Sequence, residues 1–296
     1  MFIDTLLIGI SSGAIYSLMA LALVLVWRST RVVNFAQSGQ AVLSTYIGYE
    51  ICLHTHNYWI SLPLAIFAGA IVGSLVDLLF MRLLISRAKS GPIAEIAPVI
   101  ATLGLLGLIQ SFIGLVWGNS FQQYPSPLSG KGFTFGSHVI PFSPQNLFIV
   151  IASAAVLAIF GIIFKYTDLG LALRAASFQP EIAQLAGVRV SRVRNIGWAF
   201  AGAAGAVAGA VITPTSTLSP NSLDLLFVSG FIAAVIGGLD SLVGAVVGGL
   251  VLGIGFSFIL QYIGGSVTFL VGFVILMVVL LIRPQGIFGH KVNRRA

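Results

Sequence analysis

Few side chains in this 296-residue sequence are of the types that carry out covalent or metal-assisted chemistry, and they are widely scattered. The four histidines form no H-E-x-x-H pair, and the one cysteine, Cys52, excludes an internal disulfide and a multi-cysteine metal cage. No G-x-x-x-x-G-K-[ST] loop is present to hold the phosphates of ATP. We therefore expect no enzyme, no metal site and no cofactor here, and any ATP hydrolysis must take place in a separate chain.

Amide side chains that interrupt apolar stretches are suited to a different task, the passage of a small molecule. The densest cluster consists of Asn34, Gln37 and Gln40, with Phe35 and Gly39 between them. Such polar groups are unfavourable in apolar surroundings unless they pair or line a cavity. They either expose amides to a translocation path at a broken helix start or form hydrogen bonds between helices, and the sequence alone favours neither.

A glycine-rich segment late in the chain indicates a comparable break. Its sequence is G-G-L-D-S-L-V-G-A at 237–245. The sequence shows no clear internal repeat that links this segment to the cluster at 34–40. The residues that we predict to lie on the path are Asn34, Phe35, Gln37, Gly39, Gln40, Gly237, Gly238 and Ser241.

Composition places these residues in a membrane. The sequence is 57% hydrophobic and 8% charged, with a mean hydropathy of +1.04. A soluble globule of this length cannot hide so much apolar surface, and no stretch remains for a large soluble domain. We predict an all-α fold, a polytopic transmembrane helical bundle formed by a single domain over residues 1–296.

The basic residues indicate how the chain crosses the bilayer. Arginine and lysine cluster at 28–31, 82–89, 165–194 and 283–295. With nine crossings all four clusters fall on one side, where the positive-inside rule keeps them cytoplasmic, so the N-terminus is outside and the C-terminus cytoplasmic. If the seventh segment only dips into the membrane, the number is eight. The predicted spans are 5–27, 35–49, 59–79, 96–117, 147–164, 196–212, 225–239, 242–260 and 267–282.

This distribution also accounts for the net charge of +7 as membrane topology, so we expect a lipid bilayer and no nucleic acid as partner. Two longer connections remain between the spans. One is an external segment at 118–146, which either docks another protein or caps the bundle, and the other is a cytoplasmic loop at 165–195.

The cytoplasmic loop contains the pattern of a short helix. Pro180 suits the first helical position, Glu181 the first turn, and Gly187 a left-handed C-terminal residue. Ile182, Leu185 and Ala186 form one apolar stripe. So short a helix is marginal alone and needs either its own membrane bundle or a groove on another protein; in the alternative, it lies on the lipid headgroups.

Three motifs resemble those of the permeases of branched-chain amino acid ABC transporters. They are N-F-A-Q-S-G at 34–39, where Ser38 departs from the family's N-F-A-[HQ]-G, the glycine segment at 237–245, and A-A-S-F-Q-P-E-I-A-Q-L-A-G-V at 175–188. The last is similar to that family's coupling loop. The resemblance implies that the following residues couple the chain to an ATPase: Pro180, Glu181, Ile182, Ala183, Leu185, Ala186 and Gly187.

The resemblance further implies a permease subunit in a bacterial inner membrane, carrying branched-chain or related amino acids. Its expected partners are ABC ATPase subunits, a sister permease in a heterodimer and an extracytoplasmic substrate-binding protein. Relatives that carry urea or short amides share much of the pattern, and an autonomous secondary carrier or channel is the other alternative.

Overall fold

The computed structural model describes residues 2–87, 92–135, 138–283 and 285–289, and over these residues the chain is almost entirely helical. A π-helical turn at Asp77–Met81 follows the third helix, and a 3-10 turn at Thr213–Thr215 follows the helix that ends at Ile212. A small antiparallel hairpin, β1 (Phe133–Phe135) and β2 (His138–Ile140), is the β structure within the described residues. The helices are α1 (Phe2–Thr30), α2 (Gln37–Thr55), α3 (Tyr58–Val76), α4 (Arg82–Arg87), α5 (Pro92–Trp117), α6 (Pro144–Tyr166), α7 (Asp168–Phe178), α8 (Pro180–Leu185), α9 (Val190–Ile212), α10 (Asp224–Gly237), α11 (Leu242–Tyr262) and α12 (Gly265–Ile282).

Among the described residues, seven helices are long and apolar enough to cross a membrane, which makes the chain a multi-pass membrane protein. They are Phe2–Thr30, Tyr58–Leu84, Ile96–Trp117, Pro144–Tyr166, Val190–Thr215, Leu242–Tyr262 and Gly265–Ile282. Two predicted spans are absent from this set. The total of eight or nine crossings and the sidedness of the termini therefore stay predictions.

The predicted spans 35–49 and 225–239 correspond to α2 and α10, and each is absent from this set for a different reason. α2 runs from Gln37 to Thr55, so it starts after and extends well beyond the predicted segment 35–49, and polar residues reduce its hydropathy. α10 has 14 residues, about 21 Å at 1.5 Å per residue, which is shorter than the roughly 30 Å of a bilayer's hydrocarbon core. It is a partial crossing by length.

Glycine contacts bring the central helices together. A Cβ atom at Gly13 of α1 would meet the Leu250 backbone of α11 at 2.8 Å, and one at Gly69 of α3 would meet the carbonyl oxygen of Gly202 in α9 at 2.6 Å. Helix backbones approach closely at small residues, and this packing holds a bundle where lipid removes the hydrophobic driving force. Gly73 also abuts α9, at the Trp198 carbonyl group.

Two sets of three helices make matching contacts. In the first set, α1 packs along α10 and α11, and α10 also contacts α11. In the second set, α9 packs along α2 and α3, and α2 also contacts α3. Gly197, near the start of α9, lies against Ser29, near the end of α1, so the two sets run in opposite directions. The fold therefore contains an inverted pair of three-helix units, a relationship that is common in transporters and that inspection of the sequence missed.

One end of the bundle, which we call the basic end, carries Arg31 and Arg194 at the termini of α1 and α9. Arg31 pairs with Asp240 in the α10–α11 turn, and Arg194 pairs with Asp77 at the end of α3. The other end, the hairpin end, carries β1 and β2, and there the backbones of Gln122 and Leu218 exchange hydrogen bonds of 2.9 Å.

Candidate translocation path and coupling surface

The helix α2 begins inside the bundle. The Gln37 side-chain amide donates to the carbonyl oxygen of Ala201 at 3.0 Å, and Ala201 lies about 16 Å along α9 from its start at the basic end. The chain therefore returns from Arg31 into the bundle as a non-helical segment before α2 starts.

Asn34 stabilises this break. Its amide nitrogen donates to the Gln37 side-chain oxygen at 3.1 Å, and its side-chain oxygen accepts from the backbone N–H of Ala36 at 3.1 Å. Asn34 and Gln37 are both fully buried. Their polar groups thus satisfy each other and α9, the arrangement that interhelical amide bonding predicts.

Gln40 has a different environment. It is 1% exposed, and neither its amide nitrogen nor its amide oxygen has a hydrogen-bond partner among the described residues. The hydroxyl group of Ser38 is also buried without one. A buried polar group without a partner costs roughly 1–3 kcal/mol, so these groups require a partner outside the bare chain, such as water or a solute. Gly39 between them packs against Leu106 of α5.

The helix α10 also begins inside the bundle, and here the sequence analysis missed a charged residue. Gln110 of α5 donates from its amide nitrogen to both carboxylate oxygens of Asp224, at 3.2 and 3.0 Å. Gln110 lies seven residues before Trp117, so Asp224 is about 10 Å below the end of α5. A 14-residue apolar segment preceded by an aspartate was the signal, since such a segment starts within the hydrocarbon layer.

Phe35 connects the two breaks. Its ring lies 5.9 Å from the ring of Phe227 and 6.2 Å from that of Phe231, both on α10, and its backbone N–H donates to the Thr102 hydroxyl group at 3.3 Å. The starts of α2 and α10 therefore meet through aromatic side chains.

A groove of about 570 Å³ lies between α5 and the segment that precedes α10. Gln110, the hydrogen-bond partner of Asp224, is one of the residues that line it. Its lining residues are Gly107, Gln110, Ser111, Gly114, Leu115, Asn119, Pro220 and Asn221.

The predicted path residues Gly237, Gly238 and Ser241 lie at the basic end, in the turn between α10 and α11. Gly238 has φ +102, and the Ser241 hydroxyl group caps α11 by accepting from the N–H of Gly244 at 2.9 Å. The backbone N–H groups of Ile287 and Phe288 donate to the carbonyls of Ile236 and Gly237. These close backbone contacts account for the glycines at positions 237 and 238. A role for the three residues on the translocation path stays a prediction.

The predicted short helix is present in the loop at the basic end. α8 begins at Pro180, and Gly187 follows it with φ +87 and donates to the Gln184 carbonyl at 2.9 Å. The loop contains a second helix that the sequence analysis did not identify, α7, which Thr167 caps by accepting from the N–H of Gly170 at 3.1 Å. α6 extends to Tyr166 and α9 starts at Val190, so the connection is shorter than 165–195.

Large apolar side chains of α7 and α8 point away from the protein. Phe178 is 81% exposed, Ile182 57% and Leu185 89%. Ala183 is buried instead, and its carbonyl accepts from the N–H of Val188 at 2.9 Å just before α9. Glu181 and Ala186 are exposed as well. We call Phe178, Ile182 and Leu185 the coupling surface.

Tyr124 anchors the external segment to the bundle. Its buried hydroxyl group forms a hydrogen bond of 2.5 Å with the Ser61 hydroxyl group of α3, and its ring packs against those of Tyr49 and Tyr58. Burial raises the pKa of Tyr124 to about 12, so the phenol stays protonated at neutral pH and can donate this bond. Part of the segment 118–146 thus packs on the bundle, and its external side and its role as a cap or a docking site stay predictions.

A family model, the permease component of branched-chain amino acid transport systems, matches residues 5–282. The chain belongs to this family. Membership agrees with the helical bundle, and the relatives in this family are transport subunits rather than enzymes.

Individual relatives cover nearly the whole chain. A probable branched-chain amino acid transport permease protein LivH of Methanocaldococcus jannaschii is 32% identical over 92% of this chain and 88% of its own length. The high-affinity permeases LivH of Escherichia coli and BraD of Pseudomonas aeruginosa are each 26% identical, over 98% of this chain and 96% of their own. No solved structure is significantly similar to this chain.

Proposed function

We propose that this chain is the permease subunit of an ATP-driven importer of branched-chain amino acids in a bacterial inner membrane. Its partners are two ATPase subunits, a sister permease and an extracytoplasmic binding protein, and the basic end faces the cytoplasm. The names of the relatives and the family support the cargo class. The observation that carries the mechanism is the exposed coupling surface.

The coupling surface fits a protein partner. α8 has six residues and cannot be stable as an isolated helix, yet it presents Ile182 and Leu185 to solvent beside Phe178 of α7. An apolar stripe on a short helix is the feature that a hydrophobic groove of another protein recognises. An ATPase subunit supplies that groove and covers the three side chains.

A continuous set of contacts leads from this surface to the path. α8 contacts α7 and α9, and α9 starts at Val190, directly after the loop. Farther along α9, Ala201 holds Gln37 at the start of α2. A rigid-body displacement of α8 and α9 during ATP hydrolysis therefore moves the start of α2, where Gln40 and Phe35 lie.

The sister permease covers the exposed face of α5. A Cβ atom added at Gly104 or Gly107 would have nothing within 4 Å, and Ser111 and Asn119 are exposed along the same helix and its end. Polar groups at this depth are unfavourable against lipid. A second permease closes the groove beside Asp224 into a path between the two subunits.

The test uses a matched pair of variants in α8. Leu185→Asp places a charge on the coupling surface, whereas Gln184→Asp places the same charge on a different face of the helix. We expect Leu185→Asp to release the ATPase subunits in a pull-down from membranes and to abolish ATP-dependent uptake of L-leucine, with both retained in Gln184→Asp. Retained ATPase binding and uptake in Leu185→Asp would remove α8 from the mechanism.

A further inference from the structure

Asp224 differs from Asp77, Asp240 and Glu50 in having no cationic partner among the described residues. Asp77 pairs with Arg194, Asp240 with Arg31, and Glu50 lies 4.0 Å from His54. No Lys, Arg or His nitrogen within the described residues forms an ion pair with Asp224, whose side chain is bonded to the neutral amide of Gln110.

The position of Asp224 inside the bundle makes the absence of a cationic partner unfavourable. Asp224 is the first residue of α10 and lies about 10 Å below the end of α5; an acidic residue at that depth is costly in lipid, and such residues mark ion or solute pathways. Gln110 uses two of the roughly four acceptor positions of the carboxylate and fixes its orientation. The remaining positions are available to a cation.

The adjoining groove supplies the other contacts that a zwitterionic solute needs. Its volume of about 570 Å³ falls within the roughly 300–1,000 Å³ of small-molecule sites. Asn119 and Asn221 provide amide N–H donors for a carboxylate, and Leu115 and Pro220 provide apolar surface for a hydrocarbon side chain.

We propose that Asp224 binds the ammonium group of an amino acid in this groove during its passage. The inference rests on the proposed function and adds a specificity determinant to it. A negative charge held by Gln110 favours a solute that carries a positive charge, whereas urea or a short neutral amide offers Asp224 no cation to pair with. The site thus discriminates between the amino acids and the neutral amides that the family resemblance allows.

The experiment compares charge variants in proteoliposomes that contain the complete transporter with its ATPase subunits and binding protein. Asp224→Asn removes the charge and keeps the shape, Asp224→Glu keeps the charge, and Asp168→Asn, at the exposed start of α7, is the control. The two measurements are ATP-dependent uptake of L-leucine and the ATPase activity stimulated by the loaded binding protein.

We expect Asp224→Asn to lower uptake about tenfold, because the variant lacks the charge that pairs with the ammonium group of the solute, with stimulated ATPase activity retained. Asp224→Glu should retain most uptake, and Asp168→Asn should match the wild type. Normal uptake in Asp224→Asn, or an equal loss in Asp224→Glu, overturns the inference. A parallel loss of ATPase activity assigns Asp224 a structural role and also overturns it.

A measurement on the unmodified transporter covers the case in which Asp224→Asn does not assemble. Labelling of Asp224 by a hydrophobic carbodiimide, followed by mass spectrometry, should slow in the presence of L-leucine and not of urea. Equal labelling under both conditions contradicts the proposal. Absence of ATP-dependent L-leucine uptake by the wild type would instead refute the proposed function, so the two failures are distinguishable.

Discussion

The Nε atom of Arg194 donates to the Oδ1 atom of Asp77 at 2.8 Å, and this carboxylate is fully buried at the end of α3. Asn195 supports the same group, since its amide nitrogen donates to Oδ2 of Asp77 at 3.3 Å. The pair joins α9 to the π-helical turn that continues α3. It therefore ties the first helix after the coupling loop to its principal neighbour.

Arg194→Ala should destabilise the protein strongly because it leaves the Asp77 carboxylate buried without a counter-charge. We expect a loss of about 3–5 kcal/mol in the free energy of unfolding in detergent. Asp77→Asn combined with Arg194→Ala should recover much of that loss, because it removes the buried charge. Arg192→Ala, at an exposed site on the same turn, should change stability by less than about 0.5 kcal/mol. An equal effect of the two arginine variants would contradict the assignment.

Gly202→Ala should weaken the contact between α9 and α3. The new Cβ would overlap the backbone of Gly69, and overpacking of a tight contact costs about 1–3 kcal/mol. Gly161→Ala is the control, since no atom lies within 4 Å of its added Cβ. That change should be neutral or stabilise α6 by about 0.5–1 kcal/mol, the usual helix preference of alanine over glycine. Thermal denaturation of both variants in one detergent measures the contrast.

Gln37→Leu should disrupt the start of α2. The change removes the bond to Ala201 and leaves the buried amide nitrogen of Asn34 without its partner, at a cost of about 1–3 kcal/mol. We expect lower thermal stability and reduced uptake of L-leucine, with ATPase subunits still bound because α8 is unchanged. Loss of ATPase binding in this variant would show that α2 supports the coupling surface directly.

Gln40→Leu should affect uptake rather than stability, although Gln40 lies only one helical turn from Gln37. Its amide has no partner among the described residues, so an apolar replacement of similar size should leave the unfolding temperature unchanged or higher. Uptake of L-leucine should fall if the amide lines the path. Unchanged uptake together with unchanged stability would place Gln40 off the path.

The sequence predicted those elements whose signals are local. Pro180 and Gly187 fix the two ends of the coupling helix through their own backbone preferences, and long apolar runs predict helices that cross the membrane. Gly69, Gly73, Gly249 and Gly253 lie at close helix contacts, and their spacing of four residues within each pair is a local signal of the same kind.

Features that depend on distant partners were not predictable in the same way. Asp77 has Arg82 nearby in sequence, yet it pairs with Arg194 across the bundle, because antiparallel packing of α3 and α9 brings that residue closer. In the sequence, Asp224 precedes the apolar segment, which places it outside the predicted membrane span. Its depth in the bundle follows only from its hydrogen bond to Gln110. The inverted three-helix units share contacts rather than residues, so the sequence does not display them.

The short length of α10 has a consequence for biogenesis. A helix of 14 residues that begins with an aspartate is a poor substrate for insertion by its own hydrophobicity, because it neither spans the hydrocarbon nor lacks charge there. Its neighbours α1, α11 and α12 surround it in the finished bundle, and α11 and α12 are synthesised after it. The newly made chain must therefore hold α10 at the membrane surface until its C-terminal neighbours arrive, which makes closure of the bundle a late step of assembly.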